Sequence, residues 1–426
     1  MFLLLSRPLH GLGPSTLLIP STEVLGYFQS SRFAGLRPAF AKNQMPCRLR
    51  TSEGAISSVQ VRLLSSKEDL ERYVDFGQEV YRDIPQWVPP DSHHMVSLLS
   101  GETGFGAETQ IQPFMIEDNN RVLATITAVT SDVYYRRWNE RMGHLLFFEA
   151  LPDQNEAVQT LMQTAIDWCR ERDCQAARMS LLPGMQLPLT IDAYNEVPTV
   201  FHTYNPSYYH GYIKNGGFRT ECGVVQYQIS FTPELANRYR AMMKRAQDLG
   251  VSLRTWDFDR LEAENETFTS LFNETFADHF GFMPLPAAVM NGMTVGFKDF
   301  LVRDFLLFAE ADGETVGFVY SLPDLNQVLH QMRGKNIEEN FPEFRELLET
   351  IDHGALLIIG VKKSQRGRGV NLALASRSYL AMIERGYKTG SYTVVMDENW
   401  PSRRTAEKLG ARVTRNFNVY RKELTQ

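Results

Sequence analysis

Two α/β domains in tandem are what this sequence predicts, and three observations predict them. The chain has 426 residues, more than one ordinary hydrophobic core organises. Segments with strand and helix periodicity follow the same order twice. Corresponding points in the two runs stay roughly 190–195 residues apart. Val122 answers to Val316 across two hairpins, and Gly216 to Gly410 after two short helices.

In the first run, residues 59–64 read as a strand and 70–81 as the helix behind it. Residues 114–117 and 122–129 alternate around Asp118-Asn119-Asn120-Arg121, a hairpin pattern. Residues 144–149 form the next strand, and the helix after it carries Ala157, Val158, Leu161, Met162, Ala165 and Trp168 on one face. A strand over 177–182, a short helix over 208–214 before Gly216-Gly217, and a strand over 224–229 close the half. Residues 233–249 read as a connecting helix.

The second run repeats the order with a strand over 251–256, a helix over 264–280 and a hairpin, 306–310 with 316–321, around Asp312-Gly313-Glu314. Ala355-Leu356-Leu357-Ile358-Ile359 is a β-rich run too short for a helix. Beyond it, Gly360-Val361-Lys362-Lys363-Ser364-Gln365-Arg366-Gly367-Arg368-Gly369-Val370-Asn371 leads into a helix with Leu372, Tyr379, Leu380 and Ile383 at helical spacing and Gly386 as its stop. A strand over 392–396, a short helix over 402–409 ending at Gly410, and a strand over 413–422 finish the chain. A glycine turn between strand and helix brings free backbone N–H groups and the helix dipole to one point, where an anion binds. A side chain at the glycines would hold a phosphate off the backbone. The sequence therefore expects a pyrophosphate at residues 366–371.

Composition narrows the function. The formal charge of −6 argues against general nucleic-acid binding, which needs a net basic face. Cys47, Cys169, Cys174 and Cys222 show no metal-ligand or disulfide-framework spacing and read as reduced thiols. There is no run of about 18 apolar residues to span a membrane. Residues 1–58 differ from the rest, with Arg7, Arg32, Arg37, Lys42, Arg48 and Arg50 against Glu23 and Glu53. They read as a disordered or targeting-like extension, or as a stretch upstream of a start at Met45.

Arg366-Gly367-Arg368-Gly369-Val370-Asn371 resembles the cofactor motif of the GNAT superfamily of acyl-CoA-dependent N-acyltransferases, departing from it at the last position. Asn399, Ser402, Gly410 and Ala411 stand where that family's downstream motif has an Asn and a short helix ending in Gly plus an apolar residue. The resemblance is close over 251–426 and architectural over 59–231. It implies two tandem GNAT-like domains, each a mixed, mostly antiparallel sheet flanked by helices, the first a degenerate copy over 59–231 and the second, over 251–426, holding the acyl-CoA site, with 232–250 between them. It also implies that the pantetheine arm of acyl-CoA, the co-substrate, pairs with the strand edge at Ile359 and Val361 as an added strand. Arg366, Gly367, Arg368, Gly369, Val370 and Asn371 would then take the pyrophosphate, with Asn399 and Ser402 beside it. Lys362, Lys363, Arg366 and Arg368 form a basic patch suited to the nucleotide phosphates. The first half departs from this, because its turn reads Leu151-Pro152-Asp153-Gln154-Asn155, with Asp153 and Glu156 in a capping-box pattern.

Amide formation needs a base for the amine and tolerates a thiolate leaving group without an acid. Many GNAT members carry a Tyr acid seven residues after the motif Asn, where this chain has Ala406. Base candidates around the expected splay are His353, Asp397 and Glu398, with Asp352 nearby. Against these roles, His353 reads more readily as a strand-end residue facing water, and Asp397 and Glu398 read equally as helix caps. Tyr420 reads as an edge aromatic, and Tyr208, Tyr209 and Tyr212 as core. Phe268, Phe272, Phe276 and Phe280 recur every four residues before His279-Phe280-Gly281-Phe282-Met283-Pro284, either packing on the sheet or lining a hydrophobic acceptor site. Tyr81-Arg82-Asp83, Trp87-Val88-Pro89-Pro90, Phe147-Phe148-Glu149 and Asn205-Pro206-Ser207-Tyr208-Tyr209 resemble a tandem GNAT-like group that includes bacterial ceramide synthases, which N-acylate a long-chain sphingoid base. The expectation is a cytoplasmic N-acyltransferase that uses acyl-CoA, no metal and no nucleic acid, with a small-molecule or lipid amine as acceptor and peripheral membrane contact in the lipid case. The rival readings are a non-catalytic acyl-CoA sensor or scaffold and a nucleotide hydrolase; the turn lacks the Gly-Lys-Ser/Thr ending the hydrolase requires.

Overall fold

The computed structural model describes residues 59–102, 108–179, 188–202, 204–337 and 339–424. The expected extension over 1–58, Cys47, and residues 180–182 of one expected strand lie outside them.

The first half contains β1 (Gln60–Leu63), α1 (Lys67–Val80), α2 (Ser92–Leu99), β2 (Thr109–Asp118), β3 (Arg121–Ser131), α3 (Asp132–Trp138), β4 (Met142–Ala150), α4 (Asn155–Arg170), β5 (Ala176–Met179), β6 (Leu189–Thr190), α5 (Tyr209–Asn215) and β7 (Arg219–Ser230). After α6 (Pro233–Asp248) come β8 (Ser252–Thr255), α7 (Leu261–Phe276), α8 (Ala287–Phe297), β9 (Leu306–Ala311), β10 (Glu314–Pro323), α9 (Asn326–Met332), α10 (Phe341–Leu348), β11 (His353–Val361), α11 (Val370–Glu384), β12 (Thr389–Met396), α12 (Trp400–Lys408) and β13 (Arg412–Glu423). The hairpin periodicities produce antiparallel pairs, β2 with β3 and β9 with β10. The strand–helix–strand segments produce the two parallel pairs, β4 with β5 and β11 with β12.

Among the described residues thirteen strands join one sheet, in the order β1-β2-β3-β4-β5-β13-β7-β12-β11-β10-β9-β8 with β6 against β13. The middle of that order corrects the expectation that residues 224–229 close the first half. Each half lends its final strand to the other: β13 pairs with β5 (Tyr420 opposite Met179), and β7 pairs with β12 (Tyr392 opposite Tyr227). The cores follow the exchange. Tyr420 and Leu424 pack into the first-half core with Leu161 and Trp168, while Val225, Tyr227 and Ile229 pack into the second with Leu374 and Tyr379. Tyr420 is thus a buried residue of a central strand, not an edge aromatic. Across the seam Glu221 of β7 receives both arms of Arg178 of β5, at 2.6 and 2.7 Å, and lies 3.5 Å from Arg421 of β13. Helix α6, capped by Thr232 with Pro at its start, packs its Ala236 and Tyr239 into the second core.

The interval between the halves is not constant. It is the same for the second hairpin strands (121 against 314) and the last strands (219 against 412), but wider in between (142 against 353). Each half carries an insertion at a different place, the second between β10 and β11, the first between β5 and α5. The two insertions meet: Asp324 accepts from the Val200 amide at 2.7 Å, and Asn326 Nδ2 donates to the Pro198 carbonyl at 2.7 Å.

Candidate functional site

Between β11 and α11 the chain turns through Gly367 (φ +86°) and Gly369 (φ +79°), a backbone region that excludes most side chains. Gly369 is the N-cap of α11. A Cβ added at either glycine would meet nothing within 4 Å, so the space in front of the turn is open. Among the described residues, the amides of Gly367 to Asn371 have no acceptor within the chain. These amides sit at the positive end of a 15-residue helix. Arg366 flanks them, and Asn371 Nδ2 donates to Thr405 Oγ1 at 2.8 Å, tying the turn to α12. The arrangement fits a diphosphate.

The turn opens onto a splay. Strand β11 is paired with β12 only from His353 to Leu356, so residues 357–361 have no strand on that side. Positive φ at Val394 and a register shift between Tyr392 and Val395 bend β12 away. Strand β4 pairs in parallel with β5 from Met142 to Leu145 and also carries a positive φ beyond that point, at Phe147. Between these walls lies a cavity of about 750 Å3, inside the roughly 300–1,000 Å3 range of small-molecule sites. Its floor is the open part of β11 and the turn, and its far wall is built from first-half residues including Tyr73, Trp87, Phe147 and Glu149.

Glu149 is the acidic residue on that wall. Its Oε2 accepts from Tyr81 at 2.7 Å and from Tyr209 at 2.6 Å. Burial raises its carboxyl to about 7, against the two phenol hydrogen bonds that lower it. Tyr81 is fixed in turn by stacking on Trp87, with ring centroids 4.8 Å apart. The other tyrosines of this cluster fill the place of a phosphate turn. Tyr212 accepts from the Gln154 amide at 2.8 Å and donates to the Leu151 carbonyl at 2.9 Å, and Tyr208 donates to the Ala150 carbonyl at 2.8 Å. Helix α4 is capped by Gln154 without a side-chain bond, so Asp153 and Glu156 form no capping box. Asp153 sits one residue too early, at φ +60°.

Ile359, Val361, Arg366, Gly367, Val370, Asn371, Asn399 and Ser402 all line the cavity. Asn399 Oδ1 caps α12 by accepting from the Ser402 amide at 3.3 Å, and Ser402 Oγ lies 3.0 Å from Tyr392 Oη. Gly369 does not line it, and neither does Arg368. Its guanidinium turns back to Asp312 at 2.9 Å and the Leu249 carbonyl at 2.6 Å. Lys363 pairs with Asp278 at 2.6 Å and Lys362 with Glu314 at 3.4 Å. The expected patch of four cations is therefore three ion-paired side chains and Arg366.

None of the three expected bases lines the cavity. His353 is buried at the paired end of β11, below the splay, where its Nδ1 lies 2.7 Å from Thr389 Oγ1 and burial lowers its pKa to about 4. Asp397 lies over Gly223 of β7, leaving no room for a Cβ there. Glu398 serves in the turn into α12, its carbonyl accepting from the Trp400 amide at 2.9 Å. The phenylalanine series divides. Helix α7 ends at Phe276; Phe268 is core against Trp256 and Phe318, while Phe272, Phe276 and Phe280 reach the cavity. His279 also lines it, its pKa lowered by burial and by the charge of Arg366. Glu149 and Tyr81 were visible in sequence only as parts of motifs; nothing local marked them as cavity residues. Among the described residues no His, Cys, Asp or Glu cluster could hold a metal, and no helix is long and apolar enough to cross a membrane.

No protein-family model matches the chain. The bacterial ceramide synthase of Caulobacter vibrioides is 23% identical over 365 residues, spanning 84% of this chain and 95% of that protein. Protein YghO of Escherichia coli is 19% identical over 377 residues, 85% of this chain and 95% of that protein. Among solved structures, a tandem GNAT protein from the clavulanic acid biosynthesis pathway covers 86% of this chain and 99% of its own, at 13% identity and a TM-score of 0.52.

Proposed function

The chain folds as a tandem GNAT protein, and we propose that it is an acyl-CoA-dependent N-acyltransferase. The observation that carries this reading is the set of free amides at the glycine turn, of which Gly367, Val370 and Asn371 line the cavity at the β11–β12 splay. The turn would take the pyrophosphate, and the unpaired edge of residues 357–361 would receive the amide-bearing pantetheine arm as an added strand. That path delivers the thioester to the chamber between the halves.

Phe272, Phe276, Phe282, Met95, Leu98 and Leu329 make the rest of the chamber apolar. Burying each methylene there is worth about 0.8 kcal/mol, which favours a lipid amine over a small polar one. Likeness to the Caulobacter ceramide synthase supports a long-chain, sphingoid-type base as the acceptor. The absence of a hydroxyl at Ala406, which is fully buried, supports the second reading, an acyl-CoA sensor without turnover.

Two measurements on the purified protein separate these readings. Acetyl-CoA or palmitoyl-CoA should raise the melting temperature, and adding a long-chain amine should release free thiol. A folded protein with no thermal shift for either thioester ends both readings. A shift without thiol release across an amine panel leaves the sensor.

A further inference from the structure

From the geometry of the shared cavity, we infer that Glu149 of the first half is the catalytic base for acyl transfer at the glycine turn of the second. This rests on the acyl-transfer reading above and adds that neither half is an active site alone.

Strands β4 and β11 are both nine residues long, and each pairs with its parallel neighbour through its first four residues. In that register Glu149 corresponds to Gly360. The cavity face of β11 is Leu357, Ile358, Ile359, Gly360 and Val361, with no group that can take a proton. The first half has the carboxylate but no phosphate turn, because Tyr212 occupies the Gln154 amide. Each half holds what the other lacks, and both face one chamber.

The carboxyl is built for the role. Tyr81 and Tyr209 both donate to Oε2, which fixes the group, and Glu149 lines the cavity. The titratable groups facing it are Tyr73 from α1, Tyr81 at the C-cap of α1, and Tyr208 and Tyr209 at the start of α5. His94, His202 and His279 also line the chamber. Among the described residues no Lys or Arg is paired with it. It therefore titrates near neutrality, where a general base is most effective. In the reaction the amine nitrogen bonds to the thioester carbonyl carbon and the C–S bond breaks. Sulfur leaves with its electron pair as thiolate. The proton shed by nitrogen passes to the Glu149 carboxylate and from there to the thiolate, giving amide and free CoA thiol. Tyr81 and Tyr209 are positioning residues.

The test is amine-dependent thiol release against pH for the wild type, Glu149→Gln and Tyr81→Phe, with the acyl-CoA thermal shift measured on each. The wild-type rate should rise with pH through a limb near 7. Glu149→Gln should keep the thermal shift, lose roughly 10²–10⁴-fold in rate and lose the limb. Tyr81→Phe removes a bond to the charged form, so its limb should move to higher pH by about half a unit or more. A Glu149→Gln enzyme within threefold of wild type, or one that keeps the limb, overturns the inference. So does a Tyr81→Phe limb that stays in place, which decides the matter if Glu149→Gln does not fold. A wild type that shows no acyl-CoA shift defeats the functional reading itself, a distinguishable result.

Discussion

Placed strand on strand, the two halves show the same scaffold finished in opposite ways. The second half turns from β11 into α11 through two glycines with five free amides; the first turns from β4 into α4 through residues whose amide at Gln154 is closed by Tyr212. The second half's open strand is wholly apolar, while the first presents Glu149. What the difference teaches is that the fold and the wall chemistry are separable. Strand pairing depends on alternating burial over whole elements, whereas the turn's affinity for an anion depends on a handful of residues.

The exchange of final strands is the feature to break first, with the largest effect. Residues 59–231 and 232–426 produced separately each lack a neighbour for an inner strand, β5 in one case and β12 in the other. Neither should show a cooperative melt, and co-production should restore one. Next comes the turn. Gly369→Asp places a carboxylate where the phosphate would lie, in a left-handed conformation that costs about 1–2 kcal/mol. It should weaken acyl-CoA binding by roughly 100-fold or more, about 3 kcal/mol, with the fold retained; calorimetric titration reads this directly.

At the seam, Arg178 occupies the β5 register that Ser391 occupies on β12. Arg178→Ser leaves Glu221 with only the more distant Arg421, and should lower stability by about 3–5 kcal/mol in denaturant titration. His353 corresponds to Met142 in the same way. Its pKa is lowered by burial to about 4, so the neutral form is the one the fold favours. That contribution, about 3 kcal/mol, is complete above pH 6.5 and is lost as pH falls toward 4. His353→Met should flatten the melting temperature over that window. Glu149 and Asp324 are raised to about 7 by burial, so they act in the opposite sense, favouring the fold most at low pH and withdrawing that as pH rises through 7. The smallest effect is expected for Tyr212→Phe, about 1 kcal/mol for its hydrogen bonds, without conferring acyl-CoA binding on the first half.

The repeat, the hairpins, the helix faces and the glycine turn were legible in the sequence, because each is set within one element by local periodicity or backbone freedom. Asn399 and Ser402 were legible through their spacing from that turn. The bases were not. His353, Asp397 and Glu398 lie near the splay along the chain, but which end of a parallel pair opens is decided by where its hydrogen bonds stop. The basic patch expected from Arg368 and Lys363 is neutralised in the fold because their partners, Asp312 and Asp278, come from other loops.

What this sequence determined by itself is therefore the inventory: two runs of strands and helices, one strand-to-helix turn rich in glycine and one without any. Only the tertiary structure decided that β7 and β13 change places and that Glu149 faces a chamber whose other wall belongs to the second half. The reason is physical. A residue's dihedral preferences act over a few neighbours, but the identity of a strand's partner and the accessibility of a carboxylate depend on how all thirteen strands close into one sheet.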